Sequence, residues 1–400
     1  MKKSDFLSIG ELIFFCALLC EVASLMIQMS TIPYMVNTDK CLLLLKGLRY
    51  IGYFFIIIKF MYEKISVKEL LFIIAIAILL GINGFLYSRE LFMTFIFIYG
   101  MKDVRFETII RMLLPCFAAG FLLIVIGSQI GLVDNWVYGL DDGRIRYSLG
   151  FFYPSHATSV FFYLILLFCY VKKENLKFWQ VALFAILNIW QYQQTDARAG
   201  TLLIAVALIL FYILKNRKKN ARYTFFGKVF IGAFPFCAFL SIFSCVFYGK
   251  IPMLYRINQF LSNRIELGHQ GIEKYGIHLF AQQIKWIGHG GVGQIVDQLE
   301  GTYNYVDCAY IKILLESGII VWCMMLLGFT VACKRAVEYN DTYLAAALMF
   351  IAVYSMIEPR LLEIGFNPFM LVLAHLIGYT DCFVPGEEHS VSRTCREEMQ

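Results

Sequence analysis

Apolar residues come in long blocks along this chain, without the alternation or one-faced spacing that marks soluble strands and helices. A helix needs about 20 mostly apolar residues to cross the hydrocarbon of a bilayer, and several blocks reach that length. They predict membrane-spanning helices near 7–27, 41–62, 70–87, 91–101, 112–133, 157–171, 178–191, 201–214, 225–248, 309–332, 342–357 and 366–377. The expected fold class is therefore all-α: a polytopic integral membrane protein of about 12 transmembrane helices, with a long extracytoplasmic loop between the ninth and tenth. Residues 1–380 read as one membrane domain and 381–400 as a tail. Glu11 and Glu21 interrupt the first apolar block, so it reads as a retained helix and not as a cleaved leader.

Composition agrees. Of 400 residues, 60% are hydrophobic and 16% charged, against about 45–50% and 25% in soluble domains. Charge also sets an orientation, because cytoplasmic connections are enriched in Lys and Arg. With the N-terminus inside, the inner connections and tails hold 20 of the 35 Lys and Arg residues, and the outer segments hold 11. Both termini are expected to be cytoplasmic. The run Lys215, Arg217, Lys218, Lys219 and Arg222 falls between two spans and reads as a topology anchor, so the net charge of +6 implies no nucleic-acid partner. Most of the 12 cysteines sit inside apolar spans, where Cys behaves as a small hydrophobe, and no Cys-x-x-Cys pair occurs. No metal and no cofactor are expected.

The connections are uneven in length. The inner ones are short, whereas the outer loops 134–156 and 249–308 are long, and long ordered loops are usually functional. The longer one mixes Tyr255, Phe260, Leu261, Ile265, Leu267, Tyr275 and Phe280 with polar residues, a composition suited to short amphipathic helices on the outer membrane surface. The working face is thus expected outside. Gly288-His289-Gly290-Gly291-Val292-Gly293 has no strand–helix context and reads as a turn, not a phosphate loop.

Charged residues gather where the even-numbered helices begin. Arg144 and Arg146 precede the sixth, Arg198 opens the eighth, Asp307 the tenth, and Glu358 and Arg360 precede the twelfth. Helix N-termini favour anions, and arginine adds a fork of donors that fits phosphate oxygens. Together these residues suit a diphosphate at the membrane surface; pairing with headgroups or with Asp141, Asp142 and Asp196 is the plainer use for any one of them. Glu21 is expected to pair with Lys46 or Arg49 across the first two helices. Trp136, Tyr138, Phe151, Phe152 and Tyr153 fit an interfacial aromatic belt.

Several of these strings resemble a known family. Gly143-Arg144-Ile145-Arg146-Tyr147-Ser148-Leu149-Gly150-Phe151 with Pro154 resembles the loop before the sixth helix of the Wzy-type polysaccharide polymerases of bacteria. Ala197-Arg198-Ala199-Gly200 resembles the Ser-Arg-Gly start of a helix in the wider O-antigen polymerase and ligase superfamily. Leu261-Ser262-Asn263-Arg264 is similar to its Ser-x-Arg opening of the long loop. Val306-Asp307-Cys308-Ala309-Tyr310 and Leu315-Glu316-Ser317-Gly318-Ile319 are similar to its post-loop helix. The likeness covers roughly Met101–Gly328 and departs at Phe280-Ala281, where a glycine is common.

The resemblance implies a glycosyltransferase at the outer face of the bacterial plasma membrane. It would polymerise polyprenyl-diphosphate-linked oligosaccharide repeat units into capsular, O-antigen or exopolysaccharide chains. Partners would be those lipid-linked sugars, membrane lipids, a lipid-linked-sugar flippase and a chain-length regulator. The donor energy is already in the diphosphate, so no cofactor is required. Arg144, Arg146, Arg198 and Arg264 would stabilise the departing diphosphate. Asp307 would be the base for the acceptor hydroxyl, followed by His289 and Glu316, with Glu316 alternatively paired to Lys312 one turn earlier. An O-antigen-ligase-type transferase and a transporter of lipid-linked sugars are the alternatives. Ligases often carry a histidine where this chain has Asp307, which favours the polymerase.

Overall fold

A computed structural model describes residues 7–63, 67–86, 89–139, 145–215, 225–288 and 303–377. Almost all of its regular structure is helical. In chain order the helices are α1 (Ile9–Gln28), α2 (Ile32–Val36), α3 (Thr38–Met61), α4 (Val67–Leu86), α5 (Arg89–Tyr99) and α6 (Phe106–Gln129). They continue with α7 (Pro154–Lys172), α8 (Phe178–Thr195), α9 (Arg198–Lys215), α10 (Phe225–Val246), α11 (Pro252–Phe260), α12 (Arg264–Tyr275), α13 (Ala309–Glu338) and α14 (Thr342–Tyr354). A 3₁₀ helix, Pro368–Ile377, follows.

Local sequence explains several starts. Ser8 and Glu11 form a reciprocal cap at α1, Asn37 accepts from the Lys40 amide at α3, and Asp341 accepts from the Leu344 amide at α14. α7 lies at the centre of the bundle, with Ala157 through Leu167 all buried, and α14 beside it is buried nearly as completely. Rings lock these helices together: Phe162 stacks on Tyr354 at 4.1 Å and Phe234 on Phe329 at 4.3 Å.

Among the described residues, seven helices are long and apolar enough to cross a membrane: those containing α1, α3, α6, α7, α9, α10 and α13. The other expected spans fall on helices as well: the 20-residue α4, and the shorter or less apolar α5, α8, α14 and the 3₁₀ helix. The last is the 10-residue 3₁₀ helix, which at about 2 Å per residue is shorter than a bilayer's hydrocarbon. Membrane residence and multi-pass architecture therefore stand; the count of twelve does not follow from helix length.

The contacts between helix ends give the bundle two unlike ends. One end is tied by ion pairs. Arg105 grips Glu11 with Nε at 2.7 Å and Nη2 at 3.0 Å, Lys102 meets Glu69 at 2.6 Å, and Lys173 bridges Glu107 at 3.1 Å and Asp341 at 3.4 Å. The opposite end carries α2, a small hairpin, α11 and α12. The expected pair of Glu21 with Arg49 is present at 3.5 Å, on the inner faces of α1 and α3.

The hairpin pairs β1 (Val137–Gly139) with β2 (Ile145–Tyr147) antiparallel, with Tyr138 opposite Arg146. It is stitched to the end of α1, where the Met29 carbonyl accepts from the Phe152 amide at 2.7 Å and the Gly150 carbonyl from the Thr31 amide at 3.0 Å. The long connection between α10 and α13 begins with the two short helices α11 and α12, as its mixed composition predicts. α11 exposes Met253, Tyr255 and Phe260 and buries Leu254 and Asn258.

Candidate functional site

The hairpin end brings together several charged residues that lie far apart along the chain. Ser262 and Asn263 both adopt left-handed backbone, φ 55° and 63°, and so turn the chain sharply between α11 and α12. Asn258 fixes that corner from inside. Its Oδ1 accepts from the Ile265 and Glu266 amides at 3.0 and 3.1 Å, capping α12, while its Nδ2 donates to Tyr248 Oη at 3.1 Å. The corner aims Arg264 across at Asp307, 43 positions later: Arg264 Nε lies 3.3 Å from Asp307 Oδ2. Both side chains are about a quarter exposed, so the pair is held by protein yet open to a ligand.

Deeper in the same end lies a second ion pair. Arg360 donates from Nε to Glu358 Oε1 at 2.6 Å and from Nη2 to Oε2 at 3.0 Å. Ser159 of α7 donates to Glu358 at 2.7 Å and contacts the Tyr354 hydroxyl at 2.6 Å. Burial works to raise the Glu358 carboxyl, and the Arg360 guanidinium with the Ser159 hydroxyl more than reverses it, so Glu358 titrates below the usual carboxylate range. Arg264 is close enough to Glu358 and Tyr354 to act on them electrostatically, which joins the two pairs into one cluster.

Lys312 and Glu316 extend the cluster along α13. Lys312 Nζ sits 3.3 Å from the Tyr305 hydroxyl, with Glu316 and Glu363 in its electrostatic neighbourhood. Glu316 accepts from the Trp286 indole, so its partner is a loop aromatic as well as the lysine expected from helical spacing. Burial pushes the Tyr305 phenol up, and burial with the Asp307 charge does the same to Tyr303.

α13 is broken just there. Gly318 has φ 80° and ψ 173°, which ends one helical stretch and starts another. The freed backbone groups are taken by residues 278–282 of the long connection. The His278 and Leu279 carbonyls accept from the Ile319 and Ile320 amides at 3.0 and 3.4 Å, and the Gln282 amide donates to the Glu316 carbonyl at 3.0 Å. Gln282 Nε2 donates to the Leu315 carbonyl at 3.0 Å. Broken backbone inside an apolar bundle is tolerated where protein satisfies it in this way, and it often marks a binding site.

The remaining expected site residues fall into two groups. Arg146 and Arg198 meet at the α8–α9 corner: Arg146 Nε donates to the Thr195 carbonyl at 2.7 Å, and Arg198, about half exposed, lies 3.3 Å from Asp196. Thr195 in turn touches Thr158, the neighbour of Ser159, so this corner abuts the buried cluster. Arg144 and His289 lie outside the described residues. Sequence reasoning left out Asn258 and Glu363, which no motif signals, gave Tyr305 no role, and named Lys312 only as a partner of Glu316. Arg360 was counted with Glu358 among the helix-start charges that suit a diphosphate, but not among the named site residues.

Chemically, the end combines forked cations suited to phosphate or carboxylate, ionised carboxylates able to accept a hydroxyl proton, and tyrosine and tryptophan faces. Compared with known proteins, the chain matches no family model, no curated protein and no solved structure. Fold and site together define a multi-pass helical membrane protein with a charge-dense cluster at one end of an apolar bundle.

Proposed function

We propose that this chain is a glycosyltransferase of the Wzy type, working at the outer face of a bacterial plasma membrane. It transfers a growing glycan from its polyprenyl diphosphate to the terminal hydroxyl of the next lipid-linked repeat unit. The observation that carries the reading is the Arg264–Asp307 pair, formed from opposite ends of the longest connection and set beside Lys312, Glu316 and Arg360. Arg264 would stabilise the departing diphosphate, and Asp307 would take the acceptor proton. Arg198 and Arg146 would hold a more distal part of the substrate, consistent with their place at the neighbouring corner. Twelve spans, cytoplasmic termini and an outward-facing hairpin end complete the proposal, the shorter helices crossing as part of the packed bundle.

The break in α13 favours a second reading, a transporter of lipid-linked sugars, because discontinuous helices build many transporter sites. One experiment separates the two. Purified protein in nanodiscs is given lipid-linked repeat units alone, and products are sized on a gel. A ladder of longer glycans supports the polymerase. Unchanged single units in a fully folded preparation would remove it.

A further inference from the structure

Arg360 spends its donors unevenly. Nε and Nη2 form a bidentate fork on Glu358, both side chains nearly buried at 11% and 5% exposure. The guanidinium also lies over the Phe366 ring, 4.3 Å from its centroid. Glu358 is itself pinned by Ser159, and Ser159 by Tyr354. The fork is therefore fixed in position. Its third nitrogen, Nη1, has the Met29 thioether sulfur at 3.7 Å as its acceptor. A thioether is among the weakest acceptors a protein offers, so a strong charged donor is aimed at a place where an oxygen anion would be far better matched.

Two further facts point the same way. His156 lies within electrostatic reach of Arg360, and its Nδ1 is buried without a hydrogen-bond partner, an arrangement that is costly unless something uses it. Stability also fails to explain the Arg360–Glu358 pair, since a buried ion pair is usually no more stabilising than well-packed apolar residues. Ionisable groups inside a membrane domain are more often functional.

We propose that Arg360 is a second anion-contacting cation of the site, its Nη1 edge taking a phosphoryl oxygen of the lipid diphosphate, and that Glu358 is the positioning residue that aims it. This rests on the polymerase reading above and adds a contact that reading does not contain. Arg264 approaches the diphosphate from the exposed side and Arg360 from the buried side.

The test measures equilibrium binding of sugar-free polyprenyl diphosphate to purified protein in nanodiscs, with inorganic diphosphate and phosphatidylglycerol as competitors. The double variant Glu358→Gln with Arg360→Gln replaces the ion pair by an amide pair and leaves no uncompensated charge. It should stay monodisperse and bind at least 10-fold more weakly. Arg360→Lys keeps the charge without the fork and should lose an intermediate amount. Glu358→Gln alone should raise KM for the lipid-linked donor more than it lowers kcat, because the cation remains but is no longer aimed. Inorganic diphosphate should compete and phosphatidylglycerol should not.

If Arg264→Ala loses binding while folded Arg360 variants bind like wild type, the inference falls and the polymerase reading stands. If phosphatidylglycerol displaces the ligand fully, the site is a general lipid-headgroup contact and the inference falls. Wild-type protein that neither binds polyprenyl diphosphate nor makes polymer overturns both. Should the double variant not fold, Arg360→Lys decides by the same comparison.

Discussion

Replacing Gly318 by Ala should dislodge the connection that closes over α13. Two costs add. The observed backbone, φ 80° and ψ 173°, belongs to a region used almost only by glycine, and a side chain there costs about 1–3 kcal/mol. The new methyl carbon would also sit 2.6 Å from the Phe280 carbonyl carbon and oxygen and 2.7 Å from the Leu279 oxygen. These are backbone atoms with no rotamer to yield, so residues 278–282 must retreat. Retreat breaks the bonds from the Ile319, Ile320 and Gln282 amides, each worth about 0.5–1.5 kcal/mol. The sum is about 2.5–7.5 kcal/mol, large against the total stability of a typical domain.

The matched control is Gly47→Ala in α3, where a Cβ meets nothing within 4 Å. Apparent melting temperature in detergent and protease cutting within 276–288 would both be read. Gly318→Ala should melt lower than the control and be cut faster in that segment. Equal melting and equal cutting would refute the claim that the break depends on glycine and that the connection caps it.

Asp307→Asn should keep the fold and lose about 100- to 10,000-fold in rate on lipid-linked repeat units, the usual size of a general-base contribution; near-normal chain lengths on a gel would move the base to Glu316 or His289. Arg264→Ala should abolish polymer at unchanged membrane levels, with Lys rescuing only partly, and wild-type polymer from the Ala variant would end its assigned role. Gly200→Ala should destabilise by about 1–3 kcal/mol, because its Cβ would lie 2.7 Å from Thr158 Cγ2, and an unchanged melting temperature would contradict that packing. A cysteine introduced at position 270, exposed on α12, should label from outside intact cells and one at position 218 should not; the reverse pattern would invert the topology.

The helices were legible because each is written as its own apolar block, and burial in lipid or protein makes the same demand on the sequence. The hairpin was not: strands of three residues such as Val137–Gly139 are too short to show alternation. The break at Gly318 was hidden because Ile319, Ile320 and Val321 continue the apolar run straight through it. Both members of the Arg264–Asp307 pair could be picked as candidates, but their meeting depends on the corner at Ser262 and Asn263 that Asn258 holds, which no spacing rule encodes. Arg360 was grouped with the helix-start charges without a role of its own. Its burial in a fork on Glu358, two positions away, is what spacing alone does not show.

The break also resets the rotational phase of α13. Along an unbroken helix, residues 7 and 11 positions apart point within about 20° of each other. Lys312 and Glu316 would then share a stripe with Cys323 and Leu327, both of which are exposed on the outside of the bundle. Two charges would face hydrocarbon, where a lysine at mid-depth costs about 2.5–3.5 kcal/mol on insertion scales. Interrupting the screw at Gly318 uncouples the two halves. Val321, Met325 and Phe329 keep their buried stripe in the lower half, and the upper half is free to turn Lys312 toward Tyr305 and Glu316 toward Trp286. One continuous apolar stretch thus carries two azimuths, one chosen by the lipid and one by the polar end.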